Sequence, residues 1–403
     1  MPDGLRVIHL PVSSPVIYCG YALNAGTRDE RDGEEGMAHF CEHITFKGTE
    51  RRRAHHIMNC LDSVGGDLNA FTGKEDTVYH AAVLRNDIDR AVDILTDIVF
   101  HSVYPQKEID KEVEVICDEI ESYNDSPAEL IADEFERMLF RGHALGHNIL
   151  GDANRLRTYT SADARSFVAR LYRPDNAVFF SYGDVDFDKM VHLLERAGHN
   201  ATPEKPTVFD NLRHDTMPVY IPQRKEIEMN THLSHVTVGN RSYGAGHPRK
   251  TTLYLLNNIL GGPAMTARLN ISLREHHALV YTVESYMSTY SDAGVWATYF
   301  GCEPHNVERC IALVRNELAR LAAQPLSEVQ LNKAKKQIKG QIGVACDNRE
   351  SFALDFGRTY LHYGREKDIA RLYADIDAIR ADDILETARE IFRPDDISTL
   401  IIR

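Results

Sequence analysis

Twenty-one residues beginning at Ser161, SADARSFVARLYRPDNAVFFS, align without gaps with ADDILETAREIFRPDDISTLI beginning at Ala381, an offset of 220 positions. The match pairs Asp163 with Asp383, Tyr172 with Phe392, and Arg173-Pro174-Asp175 with Arg393-Pro394-Asp395. Each copy reads as a helix, a proline that cannot continue it, and then a strand. A unit repeated at this distance constrains the whole chain: 403 residues become two tandem copies of one α/β unit of roughly 200 residues each, a size one hydrophobic core can organise. Between the copies, GHNATPEKPTVFDNLRHDTMP (Gly198 to Pro218) is polar, holds three prolines and lacks hydrophobic periodicity. The expected division is therefore an N-terminal domain over 1–200, a linker over 201–217 and a homologous C-terminal domain over 218–403.

Periodicity gives each half both kinds of element. LRVIHL, PVIYCGYAL, DLNAFT and DTVYHAAVL read as strands, and long helices are expected near Asp87–Phe100, Gln106–Tyr123 and Pro127–Phe140. A further helix is expected over Gly33 to Lys47, with Glu34 and Glu35 at its positive end and Gly48 as its stop. In the second half, strands are expected near Ser234–Gly239 and over a hairpin from Val280 to Tyr299, with helices from His305 onward. Strands mixed with clustered helices point to an α+β class with mixed or antiparallel sheets flanked by helices, not a doubly wound parallel sheet.

Composition narrows the function. The formal net charge of -14 argues against nucleic acid, whose phosphates it would repel, and favours basic peptides. Without a long apolar run, no membrane span is expected; without a basic leader and apolar block at the start, the chain reads as cytoplasmic. Seven cysteines with no CxxC spacing read as reduced thiols and not as a disulfide frame.

The stretch HFCEHITFKGTE, His39 to Glu50, carries the chemistry. On a helix, His39 and His43 lie one turn apart on one face and can point at a single ion, with Glu42 beside them. Zinc takes neutral imidazole nitrogens and keeps a fourth position for water, whose proton a neighbouring carboxylate can accept. Cys41, two residues from each histidine, points away. Two imidazoles alone are equally compatible with an ordinary helix surface, and a catalytic site needs a third protein ligand. The best source is KEIDKEVEVICDEIESYNDSPAEL, where Ile109, Val113, Ile116 and Ile120 form a buried stripe flanked on one shoulder by Glu112 and Glu119. Periodicity narrows the third ligand to Glu112 or Glu119 and does not choose between them.

These residues resemble the M16 metallopeptidases (inverzincins), particularly the group around the mitochondrial processing peptidase. HFCEHITFKGTE is similar to that family's first motif along its length, GGDLNAFTGKEDTVYHAAVL follows in order, and Glu119 comes 76 residues after His43, as the family's third ligand does. The second-half segment LNISLREHHALVY resembles the family's Arg-and-Tyr substrate motif, so the similarity spans nearly the whole chain, and two tandem copies are the family's architecture, the M16/LuxS-like metallohydrolase fold.

The resemblance implies that His39, His43 and Glu119 bind one Zn2+ per chain, that Glu42 activates the attacking water, and that Glu112 supports a ligating imidazole from outside the coordination shell. It implies that Asn69, Ala70 and Phe71 lie on a strand whose edge pairs with an extended substrate, and that Phe46 lines a substrate pocket. Arg274 and Tyr281 are assigned to the substrate and to the oxyanion formed during attack. Glu129 and Asp133 match positions that receive an arginine near the cut. His276 and His277 depart from the small or glycine residues common there, which places an altered turn at that point. The GGPAMTARL loop at Gly261 resembles the family's glycine-rich segment. The implied protein is a zinc endopeptidase for extended or unfolded peptides, working as a homodimer that encloses its cavity. The alternative is a non-catalytic family member serving as scaffold or partner for an active sibling.

Overall fold

A computed structural model of the protein describes residues 1–199 and 216–403. The expected linker lies almost wholly outside the described residues. Strands β1 (Arg6–Pro11), β2 (Val16–Leu23), β3 (Asp67–Thr72), β4 (Thr77–Leu84) and β5 (Ala177–Gly183) form one five-stranded sheet in the order β1-β5-β2-β4-β3. Strands β6 (Arg224–Ile227), β7 (Ser234–Ser242), β8 (Val280–Thr289), β9 (Gly294–Cys302) and β10 (Ser398–Ile402) form a second in the order β6-β10-β7-β9-β8. The second order is the first with every strand number raised by five. In both sheets the outermost pair at one end is parallel and the remaining pairs are antiparallel. The repeated segments fall on equivalent elements, helix Ser161–Leu171 with β5 and helix Ala381–Ile391 with β10. The α+β class with mixed sheets is therefore what the chain adopts.

The compact units do not follow the halves of the sequence. One consists of Met1–Glu121, the described residues from His147 to His199, and Ala345–Lys367; the other of Ser122–Gly146, the described residues from 216 to Val344, and Asp368–Arg403. Each half lends the other unit a helix, so a cut near residue 200 separates Arg349–Tyr363 from the sheet it covers. On the first sheet, Ala353, Phe356 and Leu361 of that crossover helix are buried with Ile8, Val178 and Phe180. On the second, Ile131, Phe135 and Leu139 of helix Pro127–Leu139 are buried with Val295, Ala297 and Leu400. An apolar stripe records that a helix must be covered; it carries no information about which of two similar sheets covers it.

Two features lock the crossover helix to the first unit. At Gly357 an added Cβ would lie 2.4 Å from Cδ1 of the buried Phe180, so the helix sits as close as it does because this position lacks a side chain. Gly357→Ala is expected to destabilise the protein by about 1–3 kcal/mol through overpacking, read as a lower thermal midpoint. The second feature is Asp76, in the β3–β4 turn, which accepts bonds from Arg358 Nε at 2.6 Å and from His362 at 2.8 Å. Burial opposes its charge, yet the His362 hydrogen bond and the Arg358 field outweigh that and hold the carboxyl down at about 2. A carboxyl depressed in the folded state stabilises above its unfolded value near 4, and loses that contribution as pH falls toward 2. The shift corresponds to about 2 kcal/mol. Asp76→Asn should therefore be less stable than wild type to urea near pH 5, and the margin should shrink below about pH 4.

Candidate metal centre

The histidine helix runs from Met37 to Thr45, shorter at both ends than the expected Gly33–Lys47. Glu34 and Glu35 precede it and are used elsewhere: Glu34 accepts from Arg170 Nη2 at 2.6 Å, and Glu35 from the Gly33 N–H at 3.0 Å. The carboxylate at the helix start is Glu30, which accepts from Gly36 N at 3.1 Å and Ala38 N at 3.0 Å. Glu30 satisfies two of the N–H groups that every helix leaves open and sits against its positive end. Burial pushes its carboxyl well above the usual range, against those two donors. Gly36 takes a positive φ of 83° and packs with its Cβ direction 2.7 Å from Gly151 Cα, a place only glycine fills. At the other end, Thr45 Oγ1 donates to Cys41 O at 2.7 Å and lies 3.0 Å from the Tyr104 hydroxyl, fixing the last turn. Cys41 faces away, its thiol 3.9 Å from Ala164 O, as expected.

His39 and His43 stand on one face with ring centroids 4.6 Å apart. Helix Gln106–Asn124 brings Glu119 to both: Oε2 is 3.4 Å from His43 Nε2, and Oε1 is 3.9 Å from His39 Nε2. One ligand atom from each of the three lies within 4.8 Å of the other two. In a tetrahedral zinc site with bonds of about 2.0–2.1 Å, neighbouring donors are roughly 3.4 Å apart, so the three atoms already approach the edges of such a tetrahedron. The centre is closed on the histidine side and open on the other: the His39 side chain is 8% exposed and that of Glu119 46%. Burial, reinforced by repulsion from His43, pushes the His39 imidazole down to about 3, so it is neutral and able to ligate.

Glu112, the other residue that periodicity left open, makes a different contact. Its Oε1 is 3.2 Å from His43 Nδ1 and its Oε2 accepts from Lys47 Nζ at 2.7 Å. This fixes the His43 ring with Nε2 directed at Glu119, the arrangement by which a carboxylate behind an imidazole orients it for a metal. Burial works against a protonated His43, but the Glu112 bond and the nearby carboxylates outweigh it and raise its pKa, so a proton and a metal compete for this imidazole. Glu112→Gln is expected to weaken zinc binding about 10–100-fold with the fold intact, measurable by competition with a zinc-responsive dye. Glu42 is half-buried, and the loss of water around it raises its pKa; it accepts from Thr72 Oγ1 of β3 at 2.7 Å.

β3 is an edge strand of the first sheet. Its faces divide the expected substrate residues. Asn69 and Phe71 share one face, where Phe71 lies under the Arg358 guanidinium at 5.6 Å and beside His80; Ala70 and Thr72 share the face that bears Glu42. The Ala70 N–H is bonded at 2.9 Å by the Asn69 side-chain oxygen, so it points to the open edge and not to β4. Phe46 is half-buried with its ring 5.9 Å from that of Tyr79.

The remaining expected residues belong to the second unit. The Arg274 guanidinium is 6.0 Å from the centre of the Tyr281 ring, and Tyr281 is 87% exposed. Arg274 sits on a short π-helical stretch, Asn270–His276. The strained turn after it falls on Ala278, with φ of 49°, one residue beyond the two histidines singled out in the sequence. Glu129 is exposed and Asp133 half-buried on helix Pro127–Leu139, where Asp133 helps raise the pKa of Tyr123 after burial has done most of that work. Sequence reasoning missed Glu30 and Thr72. Glu30 reaches its helix from six residues before Gly36, outside the usual N-cap position, and Thr72 meets Glu42 only through the register of β3. Lys47 lies two residues beyond the end of the histidine helix, and its pairing with Glu112 had no local signal in the sequence.

Two imidazoles, a carboxylate and a flanking glutamate make a donor set of the kind hydrolytic zinc centres use. Comparison with known proteins agrees. The profile of insulinase (peptidase family M16) matches residues 11–153, and that of the peptidase M16 inactive domain matches residues 158–338. An uncharacterised zinc protease of Streptomyces coelicolor is 31% identical over 97% of this chain and 86% of its own, and the uncharacterised zinc protease YmxG of Bacillus subtilis is 30% identical over 95% and 92%. The crystal structure of a protease from Helicobacter pylori shares the fold with a TM-score of 0.90 at 20% identity, covering 100% of this chain and 97% of that one. The chain belongs to the M16 peptidase family. Among the described residues no helix is long and apolar enough to cross a membrane.

Proposed function

We infer that the protein is a zinc-dependent endopeptidase acting on extended or unfolded peptides. The observation that carries this reading is the convergence of His39, His43 and Glu119 within 4.8 Å, with Glu42 on the same helix. Held by those three side chains, zinc would supply Lewis-acid activation of water and polarisation of the scissile carbonyl. Glu42 accepts the proton of the attacking water and passes it to the leaving amine. Its raised pKa suits it to hold that proton between the two steps, and the Thr72 bond fixes one carboxylate oxygen while leaving the other free. Lys47 and Glu112 keep His43 in register.

The open edge of β3 would bind substrate by backbone pairing, which holds a peptide without demanding a sequence, with the Asn69 side chain giving up its bond to Ala70 N. Arg274 and Tyr281 supply a fixed cation and a phenol donor suited to substrate and oxyanion. Glu129 and Asp133, one turn apart, suit a basic substrate side chain. Enclosure by a second copy of the chain completes the proposal, and light scattering of the purified protein would show a dimer.

The test is a quenched peptide library with products read by mass spectrometry. Cleavage should stop with a zinc chelator and return with added zinc. A zinc-loaded chain that cleaves nothing would overturn the reading and favour a non-catalytic partner subunit.

A further inference from the structure

In the second unit, helix Val307–Ala323, the turn after it, Gln330 and Arg268 line an open groove of ≈ 690 Å³, in which Arg268 is half-buried and the other lining residues are exposed. Asn316 and Arg320, four residues apart, share the helix face toward it, and Gln324 and Gln330 complete its polar lining. Only small or cyclic apolar side chains, such as Ala319 and Pro325, interrupt that lining, so an apolar ligand has little to rest on.

The charges of this groove are unbalanced. Arg320 Nη1 donates to Glu317 Oε1 at 2.6 Å, which uses the nearby carboxylate. Arg268 is half-buried and makes no hydrogen bond or ion pair among the described residues. Burial lowers its pKa, Glu317 partly restores it, and Arg320 adds like-charge repulsion. Two guanidiniums thus share one carboxylate, and a guanidinium has five N–H donors and no acceptor. Gln330 takes the Ser327 N–H on its oxygen at 2.9 Å, which leaves its amide donors directed elsewhere. In a chain of net charge -14, this donor-rich, cationic groove is a local inversion.

We propose that the groove binds a small oxyanion, a carboxylate or a phosphate, clamped between Arg268 and Arg320. Each guanidinium can offer two parallel N–H groups to such a group, the geometry in which arginine outperforms lysine. The anion would neutralise the second guanidinium and relieve the repulsion between the pair. The site is independent of the metal centre and of the peptidase reading.

Isothermal titration of the full chain with sodium phosphate and, separately, sodium succinate, at ionic strength held constant with sodium chloride, tests this. Saturable one-to-one binding of at least one anion is expected, and Arg268→Gln and Arg320→Gln should each weaken it about tenfold or more, the loss of one charge-assisted pair. Binding of phosphate alone, or of succinate alone, tells which chemistry the site takes. Because the Arg320 side chain is 71% exposed, its variant is expected to fold even if the Arg268 variant does not. Absence of saturable heat with both anions would overturn the proposal, as would binding that is unchanged in Arg320→Gln, the result expected of an anion held at the metal instead.

Discussion

Glu42→Gln should lower kcat/KM for peptide cleavage by about 10²–10⁴-fold, the usual contribution of a positioned general base, while each chain still binds one zinc. Glutamine keeps the length of the side chain and an oxygen for the Thr72 hydroxyl at its present 2.7 Å, so the packing around the helix is conserved. What disappears is the ability to take a proton. Because Glu42 is not among the three converging ligand atoms, metal content should not change, and metal analysis beside the cleavage assay separates the two roles. Retained activity in this variant would place the base elsewhere; loss of zinc would make Glu42 part of the coordination shell.

The second large effect is expected at Glu119. Glu119→Ala removes the only carboxylate among the described residues that reaches both imidazoles, at 3.4 Å from His43 Nε2 and 3.9 Å from His39 Nε2. Two histidines on one helix turn cannot hold zinc in a tetrahedral catalytic site. Zinc affinity should therefore fall by more than the roughly 10–100-fold expected for a residue outside the shell such as Glu112. The side chain is 46% exposed, so its removal leaves no buried void and the urea midpoint of the zinc-free protein should barely change. Activity lost through zinc loss would return partially at high zinc concentration, whereas activity lost in Glu42→Gln would not. That contrast distinguishes a ligand from a base without a structure of either variant.

Much of this was legible in the sequence because it is periodic or repeated. β3 falls on DLNAFT as expected, and the glutamate helix begins at Gln106, because alternation and helical stripes are local signals. The doubling of the sheets follows from the repeat at offset 220. What was not legible depends on partners far apart in the chain. Glu112 and Glu119 lie two turns apart on one shoulder of their helix, equivalent by periodicity; the structure turns the first to His43 Nδ1 and Lys47 and the second to both Nε2 atoms. The exchange of helices between units escaped for the same reason, since Phe356 and Phe135 look alike as core residues until each meets its sheet. The start of the histidine helix was misplaced because Glu34 and Glu35 resemble first-turn acids, whereas Glu30, further away, holds the helix end.

The most direct measurement is anomalous diffraction at the zinc absorption edge from crystals grown with zinc. A single peak per chain is predicted in the first unit, within about 2.0–2.2 Å of His39 Nε2, His43 Nε2 and one Glu119 oxygen, with Glu42 outside bonding distance. A peak bonded to other residues, or the three side chains turned away from one another with no peak between them, would contradict the account.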